Sequence, residues 1–589
     1  MCRRLFLFVL ALTFVSSSYA GVNDTQSNGT KPGPTQKPNF VFIMTDDQDL
    51  QLNSMQYMPN VLDLIAKEGT TYQNHFCTVS QCCPSRVSLL TGKLAHNTNV
   101  TDIVPPYGGY PKFVQQGLNN NYLPVWLQQA GYNTYYTGKL MNAHSTANWN
   151  NPFPAGWNGT AFLIDPGTYN YYNATFQSNR DPPVSTPDQY NTDQVAQNAL
   201  NMLDQAHAAG VPFFLGVAPI APHCQTIFNP TTPIPGFLPP IPATRHQNLF
   251  PGAKIPRSPN FNPNVPSGAS WITHLPQLNT TEIDYFDNFY RLRLQALQAV
   301  DEMIPTIINR LRQYGLLDNT YIIYTTDNGY HMGNHRMQPG KYCAYEEDVN
   351  IPFYIRGPGV PRGKTVDFVT THTDIAPTLF QLAGIPLRSD FDGSPMPVTD
   401  NAQQQRRDAP THDHTMVEYW GTGGFEGAFG LQGVNGSFTQ FLNNTYKSMR
   451  IVTDKYNLQY TVWCTNEHEL YDMTRDPSQM NNLLGPTASV NATPLAWPLN
   501  RPLIQVQPRL DAMLMVLKSC KADQCTQPWK VLHPDGNVNN LVDALDADYD
   551  AFYAGQPKVG FEKCALGYLI GSEGPQTPNY YGTNMAAWT

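Results

Sequence analysis

Asn39-Phe40-Val41-Phe42-Ile43-Met44-Thr45, followed at once by Asp46-Asp47, is a nearly continuous apolar run that ends in two carboxylates. A strand with one face in water alternates apolar and polar residues; one buried on both faces does not, so this run predicts a strand inside a layered α/β structure. Three more segments repeat the design. Thr134 to Thr137 runs into Gly138-Lys139, Phe213 to Ala218 into Pro222-His223, and Tyr321 to Thr325 into Asp327-Asn328-Gly329. In open α/β sheets, functional groups sit just beyond the carboxyl ends of parallel strands, so the four polar clusters are expected to meet along one edge.

Helices fill the intervals. Asn60 to Lys67 is read as one. Asp284 to Tyr314 is a longer one, with Leu294, Leu297, Met303, Ile304, Ile307 and Leu311 at helical spacing and Pro305 expected to kink or divide it. Asp374 is read as the N-cap of a helix through Leu382 that stops at Gly384. Residues 222–266 are crowded with proline and read as an ordered, irregular loop suited to walling a cleft. Beyond about residue 410, Met449–Val452, Gln459–Trp463 and Glu469–Tyr471 resemble antiparallel strands between turns. The expected organisation is therefore a leader over 21–37, an α/β catalytic domain over 38–410, a smaller α+β domain with an antiparallel sheet over 411–545, and an extension over 546–589.

The chain opens Met1-Cys2-Arg3-Arg4, runs apolar from Leu5 to Val15 and closes on Ser18-Tyr19-Ala20, the layout of a secretory signal over residues 1–20. At about 11 residues the apolar run is too short to span a bilayer, and no later run approaches the roughly 18 needed, so no membrane span is expected. Secretion into the extracellular or cell-wall space fits the glycosylation acceptors at Asn23, Asn28, Asn99, Asn158, Asn173, Asn279, Asn435, Asn443 and Asn491. A net charge of -9 without a basic block gives nucleic acid no electrostatic footing. Of the ten cysteines, Cys77, Cys83, Cys224, Cys343, Cys464, Cys520, Cys525 and Cys564 are candidates for disulfides, with Cys520 and Cys525 the expected local pair.

Cys82-Cys83-Pro84-Ser85-Arg86, followed by Leu90-Thr91-Gly92-Lys93, carries the chemistry. Taken alone, Cys82-Cys83 reads first as two half-cystines, as most cysteines of secreted proteins are. With the Pro-Ser-Arg and Thr-Gly-Lys that follow, it resembles the modification motif of the sulfatase family, in which the first cysteine of C-x-P-S-R becomes a formylglycine (3-oxoalanine). By position that is Cys82, since Pro84 must lie two places after the modified residue. The chemical logic is independent of the name: a hydrated aldehyde offers one hydroxyl to attack sulfur and a second to expel sulfate by re-forming the carbonyl, an exit that serine or cysteine lacks. Pro84 suits the first turn of a helix, whose amino end favours an anion.

The resemblance extends from about Pro38 to Leu484. It implies an alkaline-phosphatase-like fold, with a mostly parallel mixed sheet flanked by helices, and a calcium ion held by Asp46, Asp47, Asp327, Asn328 and the modified Cys82, with Ca²⁺ preferred to Mg²⁺ as hard oxygen donors require. Asp-Asp and Asp-Asn-Gly are also ordinary turn sequences. It further implies that Arg86 steadies the hydrate and that Lys139, His223 and Lys341 contact sulfate oxygens or the leaving group, where positive charge stabilises developing negative charge. Many family members carry a histidine two residues after the counterpart of Lys139; here Met141 stands there, and His331, then His144, are the candidates for the base. A formylglycine-generating enzyme during secretion is the implied partner. The implied activity is hydrolysis of sulfate esters of arylsulfatase type, with a glucosamine-6-sulfatase-like glycan sulfatase, a phosphate or phosphonate ester hydrolase, and an inactive sulfated-glycan-binding protein as the other readings. Natural substrate and oligomeric state stay open.

Overall fold

Asn39–Thr45 (β1) is buried at every position, and its two faces enter different cores. Phe40, Phe42 and Met44 pack on one side of the sheet with Val87 and Leu90, whereas Val41 and Ile43 pack on the other with Val195, Leu297 and Ile304. The apolar run is thus two alternating faces that both find apolar partners. The computed structural model describes residues 37–227, 236–408, 412–429, 440–486 and 488–582. The signal segment, the leader up to residue 36, and Asn23, Asn28 and Asn435 lie outside the described residues.

In chain order the other strands of this sheet are Thr70–Tyr72 (β2), Asn133–Lys139 (β3), Gly159–Leu163 (β4), Tyr172–Ser178 (β5), Val184–Tyr190 (β6), Phe213–Ala218 (β7), Thr320–Thr326 (β8), Phe353–Arg356 (β9) and Lys364–Val366 (β10). They form one ten-stranded sheet in the order β10-β2-β9-β8-β1-β7-β3-β4-β5-β6. Its centre, β8-β1-β7-β3-β4, is parallel throughout, and antiparallel strands flank it on both sides. The four strands read from sequence all lie in the parallel centre, so their carboxyl ends share one edge.

Cys82–Thr91 (α1) and Ile375–Leu382 (α4) cover one face; Asn191–Ala209 (α2) and Thr280–Gln313 (α3) cover the other. Helix α3 begins four residues before the expected Asp284, because Asn279 and Glu282 form a reciprocal capping box. It runs through Pro305 undivided. Asp374 stands at the N-cap position of α4 as expected, but its carboxylate does not cap the helix: it accepts from the Thr371 N–H at 2.8 Å and the Ser394 N–H at 2.8 Å, closing the 3₁₀ turn before the helix. Gly384 takes the left-handed φ of +66° that ends α4. In place of one helix over 60–67, a short α turn over Pro59–Val61 passes into a π turn over Leu62–Ala66.

His414–Tyr419 (β11), Tyr446–Val452 (β12), Asn457–Trp463 (β13) and His468–Asp472 (β14) form a separate antiparallel sheet, backed by Leu503–Leu517 (α5). Its disulfides are Cys464–Cys564 and the expected Cys520–Cys525. The other four disulfide candidates are buried thiols. Each faces different surroundings: Cys77 the Asp348 carbonyl at 3.4 Å, Cys224 the His223 Nδ1 at 3.5 Å, Cys343 the Met337 Sδ at 3.6 Å, while Cys83, in the first turn of α1, packs in the core. Asn158, Asn173, Asn279, Asn443 and Asn491 are exposed, as glycan acceptors must be.

Candidate active site

Four chain segments converge where β1, β3, β7 and β8 end. Asp46 and Asp47 leave β1, Asp47 with a left-handed φ of 63° that aspartate tolerates better than most residues. Asp327 and Asn328 leave β8. Asp327 Oδ1 accepts the N–H groups of Asp47 (3.0 Å) and Asn328 (2.9 Å), and its Oδ2 accepts Arg86 Nε at 2.8 Å. Ser85 donates to the Asp327 carbonyl at 2.6 Å, so the serine of the motif ties α1 to the end of β8. Helix α1 starts at Cys82 and points its amino end, with Pro84 in the first turn, into the cluster.

Cations face these carboxylates. Lys139 Nζ donates to Asp46 Oδ2 at 2.6 Å. Arg86 donates to the Lys139 carbonyl and stands 3.4 Å from the same Asp46 oxygen. Lys341 Nζ donates to Asp47 Oδ2, and His223 Nε2 lies 3.5 Å from that atom. Cys82 Sγ is 3.4 Å from Asp46 Oδ1 and 3.7 Å from Asp47 Oδ1. Ligand atoms of Asp46, Asp47, Cys82 and His223 all lie within 4.8 Å of one another.

The electrostatics follow from this crowding. Burial alone would raise the Asp46 carboxyl, but Lys139, His223 and Arg86 together hold it below the ordinary range. Burial drives the Cys82 thiol well above its ordinary value, so as a cysteine it is a neutral thiol and a weak nucleophile. Lys139 stays charged because Asp46 outweighs burial. The donor set also fits a hard cation. Among the described residues Asn328 Oδ1 is buried without a hydrogen-bond partner, an orphaned acceptor among carboxylates. Oxygens of this kind suit Ca²⁺ or Mg²⁺ and no thiophilic metal.

Neither base candidate belongs to the group formed by Asp46, Asp47, Cys82 and His223, although His331 pairs with Gly340 beside Lys341. His331 groups with Cys343 and Asp348, its Nδ1 2.8 Å from Asp348 Oδ1 and its Nε2 buried without a partner among the described residues. His144 packs between the rings of Tyr110 and Phe162, and burial pushes it down to about 4. By contrast, His223 has one nitrogen fixed: a carbonyl can only accept, so the 2.6 Å contact between Nδ1 and Cys224 O places the proton on Nδ1 and turns Nε2 toward Asp47.

Three residues at the site escape a motif-based reading. Tyr169, on the loop after β4, stacks on His223 at 4.3 Å, and Lys139 Nζ lies 4.8 Å from its ring centre. Arg293 of α3, fully buried, donates to the carbonyls of Asp47 and Pro222 and so holds two strand-end loops together. Glu426 lies 3.4 Å from Lys341 Nζ. Only Arg293 left a signal, as a lone cation in the apolar stripe of Phe286, Phe289, Tyr290 and Leu297.

The sequence profile of the family described as Sulfatase matches residues 38–385. The chain is 39% identical over 555 residues to an arylsulfatase of Volvox carteri, covering 90% of this chain and 82% of that one. It is 30% identical over 515 residues to the N-acetylglucosamine-6-sulfatase of Homo sapiens, covering 84% and 87%. Its fold is similar to a solved structure described as a complex with its substrate D-glucosamine-2-N,6-O-disulfate, with a TM-score of 0.57 and 24% identity over 77% of this chain and 94% of that one.

Proposed function

This chain belongs to the sulfatase family, an arylsulfatase-like enzyme that hydrolyses sulfate esters, and from that premise we propose that Cys82 is matured to formylglycine and works beside a bound calcium ion. The observation that carries the reading is the convergence of Cys82 with Asp46, Asp47 and His223 within 4.8 Å. In the cysteine form, Sγ stands in for an oxygen of the hydrated aldehyde. When present, the hydrate supplies the nucleophilic hydroxyl and its own route of release, and the ion, held by Asp46, Asp47, Asp327, Asn328 and the modified residue, supplies charge neutralisation.

The chain's own residues do the rest. Arg86, locked by Asp327 and the Lys139 carbonyl, orients the side chain at position 82. Lys139 and Lys341 hold sulfate oxygens from opposite sides, where ammonium groups stabilise negative charge that grows during ester cleavage. His223, with its Nδ1 proton committed to Cys224 O, carries a proton on Nε2 to the departing oxygen. His331, whose carboxylate partner is Asp348, keeps the separate role of candidate base toward the hydrate. Maturation during export by a formylglycine-generating enzyme accords with the N-terminal leader, the two disulfides and the exposed acceptor asparagines. Among the described residues no helix is long and apolar enough to cross a membrane. We place the division between the catalytic region and the antiparallel-sheet region near residue 410, and the start of the C-terminal extension near 546.

Mass spectrometry of the peptide carrying Cys82 tests the reading: the active enzyme contains the aldehyde at position 82, and full turnover by a protein that is wholly thiol there refutes it. A second reading, a sugar 6-sulfate as natural ester, is favoured by the 30% identity to the human N-acetylglucosamine-6-sulfatase. Turnover of an aryl sulfate, its matched aryl phosphate and glucosamine 6-sulfate, measured side by side, separates aryl, phosphate and sugar preference.

A further inference from the structure

The segment after β11 reaches back into the site. Gly423–Gly424 pairs with Gln440–Phe441. The chain that follows is clamped over the loop carrying Lys341. The Glu426 N–H donates to the Pro339 carbonyl at 2.7 Å, and a Cβ on Gly340 would stand 3.0 Å from Gly424 O. This approach buries the Glu426 carboxylate at 1% exposure, with Oε1 3.4 Å from Lys341 Nζ and Oε2 accepting from the Tyr330 hydroxyl at 2.8 Å. Burial alone would raise this carboxyl, but Lys341 and then His223 hold it down to about 2, so it is charged.

Lys341 therefore has two carboxylates, and one of them is claimed twice. Asp47 faces Lys341 and also belongs to the proposed ion site. A carboxylate shared with a divalent cation has little charge left for a buried ammonium, and a buried charge without a partner is strongly disfavoured. We propose that Glu426 is a positioning residue for the sulfatase reaction: it is the counter-ion that fixes Lys341 at the leaving group and frees Asp47 for the metal. The inference rests on the roles proposed above for Lys341 and Asp47. It also assigns part of the site to chain beyond residue 385, where the family match ends.

The test uses the full-length enzyme as wild type, Glu426→Gln, Glu426→Asp and Tyr330→Phe, with calcium titration of the metal-stripped protein and kcat for aryl sulfates of graded leaving-group pKa. Glu426→Gln keeps the shape and the acceptor for Tyr330 but removes the charge. It is expected to weaken calcium binding and to lower kcat by about 10- to 100-fold, the usual range for a residue behind a ligand. Its loss should be largest for the poorest leaving groups. Glu426→Asp, which withdraws the charge on a shorter stem, shows the same two shifts at smaller size and serves alone if the glutamine variant does not fold. Tyr330→Phe changes neither. Unchanged calcium affinity and leaving-group slope in Glu426→Gln overturn the proposal, and so does a Tyr330→Phe protein that behaves like it. A wild-type enzyme that turns over without bound calcium or without the aldehyde instead sinks the reading of the site, a separate result from the same preparations.

Discussion

Lys139 Nζ stands 2.6 Å from Asp46 Oδ2 although β7 lies between the strands that carry them, and both side chains are wholly buried. The lysine crosses a strand end to reach the carboxylate, and its buried ammonium has no water to retreat to. Lys139→Ala is expected to lower kcat/KM by about 10²- to 10³-fold, the usual cost of removing one preorganised donor. Lys139→Arg should not rescue it, since a planar fork cannot replace a point charge in a closed site. Steady-state kinetics on an aryl sulfate check this, and activity within twofold of wild type in Lys139→Ala contradicts it.

Calcium removal should cost both activity and stability. An ion that binds only the folded chain stabilises it by about 2.7 kcal/mol at a hundredfold excess over Kd, so Tm of the stripped enzyme should rise on adding Ca²⁺, and less on adding Mg²⁺. Asp327→Asn removes a charge that Arg86 uses and that the proposed ion site would use, and should abolish the calcium-dependent rise. A Tm indifferent to calcium in the wild type would falsify the ion site.

Much of this was legible because a central parallel strand has no wet face. Asn39–Thr45 and Phe213–Ala218 read as strands to the residue, and the polar groups that follow them meet at one edge, since parallel strands in one sheet end on one side. The long helix was legible by period but began too late: the Asn279-Thr280-Thr281-Glu282 capping signal precedes its apolar stripe. Tyr169 and Glu426 were illegible for a different reason. Each sits on a loop whose path is set by contacts far away in sequence, and a lone Tyr or Glu on a loop has no spacing to read. The thiols at 77, 83, 224 and 343 show the limit of cysteine counting, because parity says nothing of which sulfurs stand within bridging distance.

Cys82→Ala separates chemistry from folding. Among the described residues the Sγ atom makes long contacts, at 3.4 and 3.7 Å, to Asp46 and Asp47, and the helix it starts is held by Ser85 and Arg86. Turnover should vanish while stability changes by less than about 1 kcal/mol, in the range of substitutions that break no network. Retained multiple turnover in this variant rejects position 82 as the nucleophile.

The pH dependence of stability should be written largely in Glu418. This fully buried carboxylate of β11 accepts from Lys447 Nζ at 2.9 Å and from both the N–H and Nδ1 of His96 at 2.9 Å. His96 Nε2 meets the Cys520 carbonyl at 2.8 Å, so both ring nitrogens face acceptors and the imidazole must be cationic, in keeping with its raised pKa. Burial would raise the Glu418 carboxyl, but His96 and Lys447 hold it down to about 2, against an ordinary 4.5. A depressed carboxyl contributes stability that is complete above 4.5 and lost as pH falls toward 2; the raised His96 contributes stability that is complete below 6.5 and lost as pH climbs through its folded value. Between those limits the pair is fully formed and joins the turn after α1 to the antiparallel sheet. Glu418→Gln takes the carboxylate from the buried His96 and leaves Lys447 with Glu573 at 3.4 Å. It should cost about 3–5 kcal/mol near pH 6 and flatten the acid limb of a Tm-against-pH curve. If the curves of wild type and variant run parallel from pH 5 down to pH 3, the coupling assigned to this carboxylate is wrong.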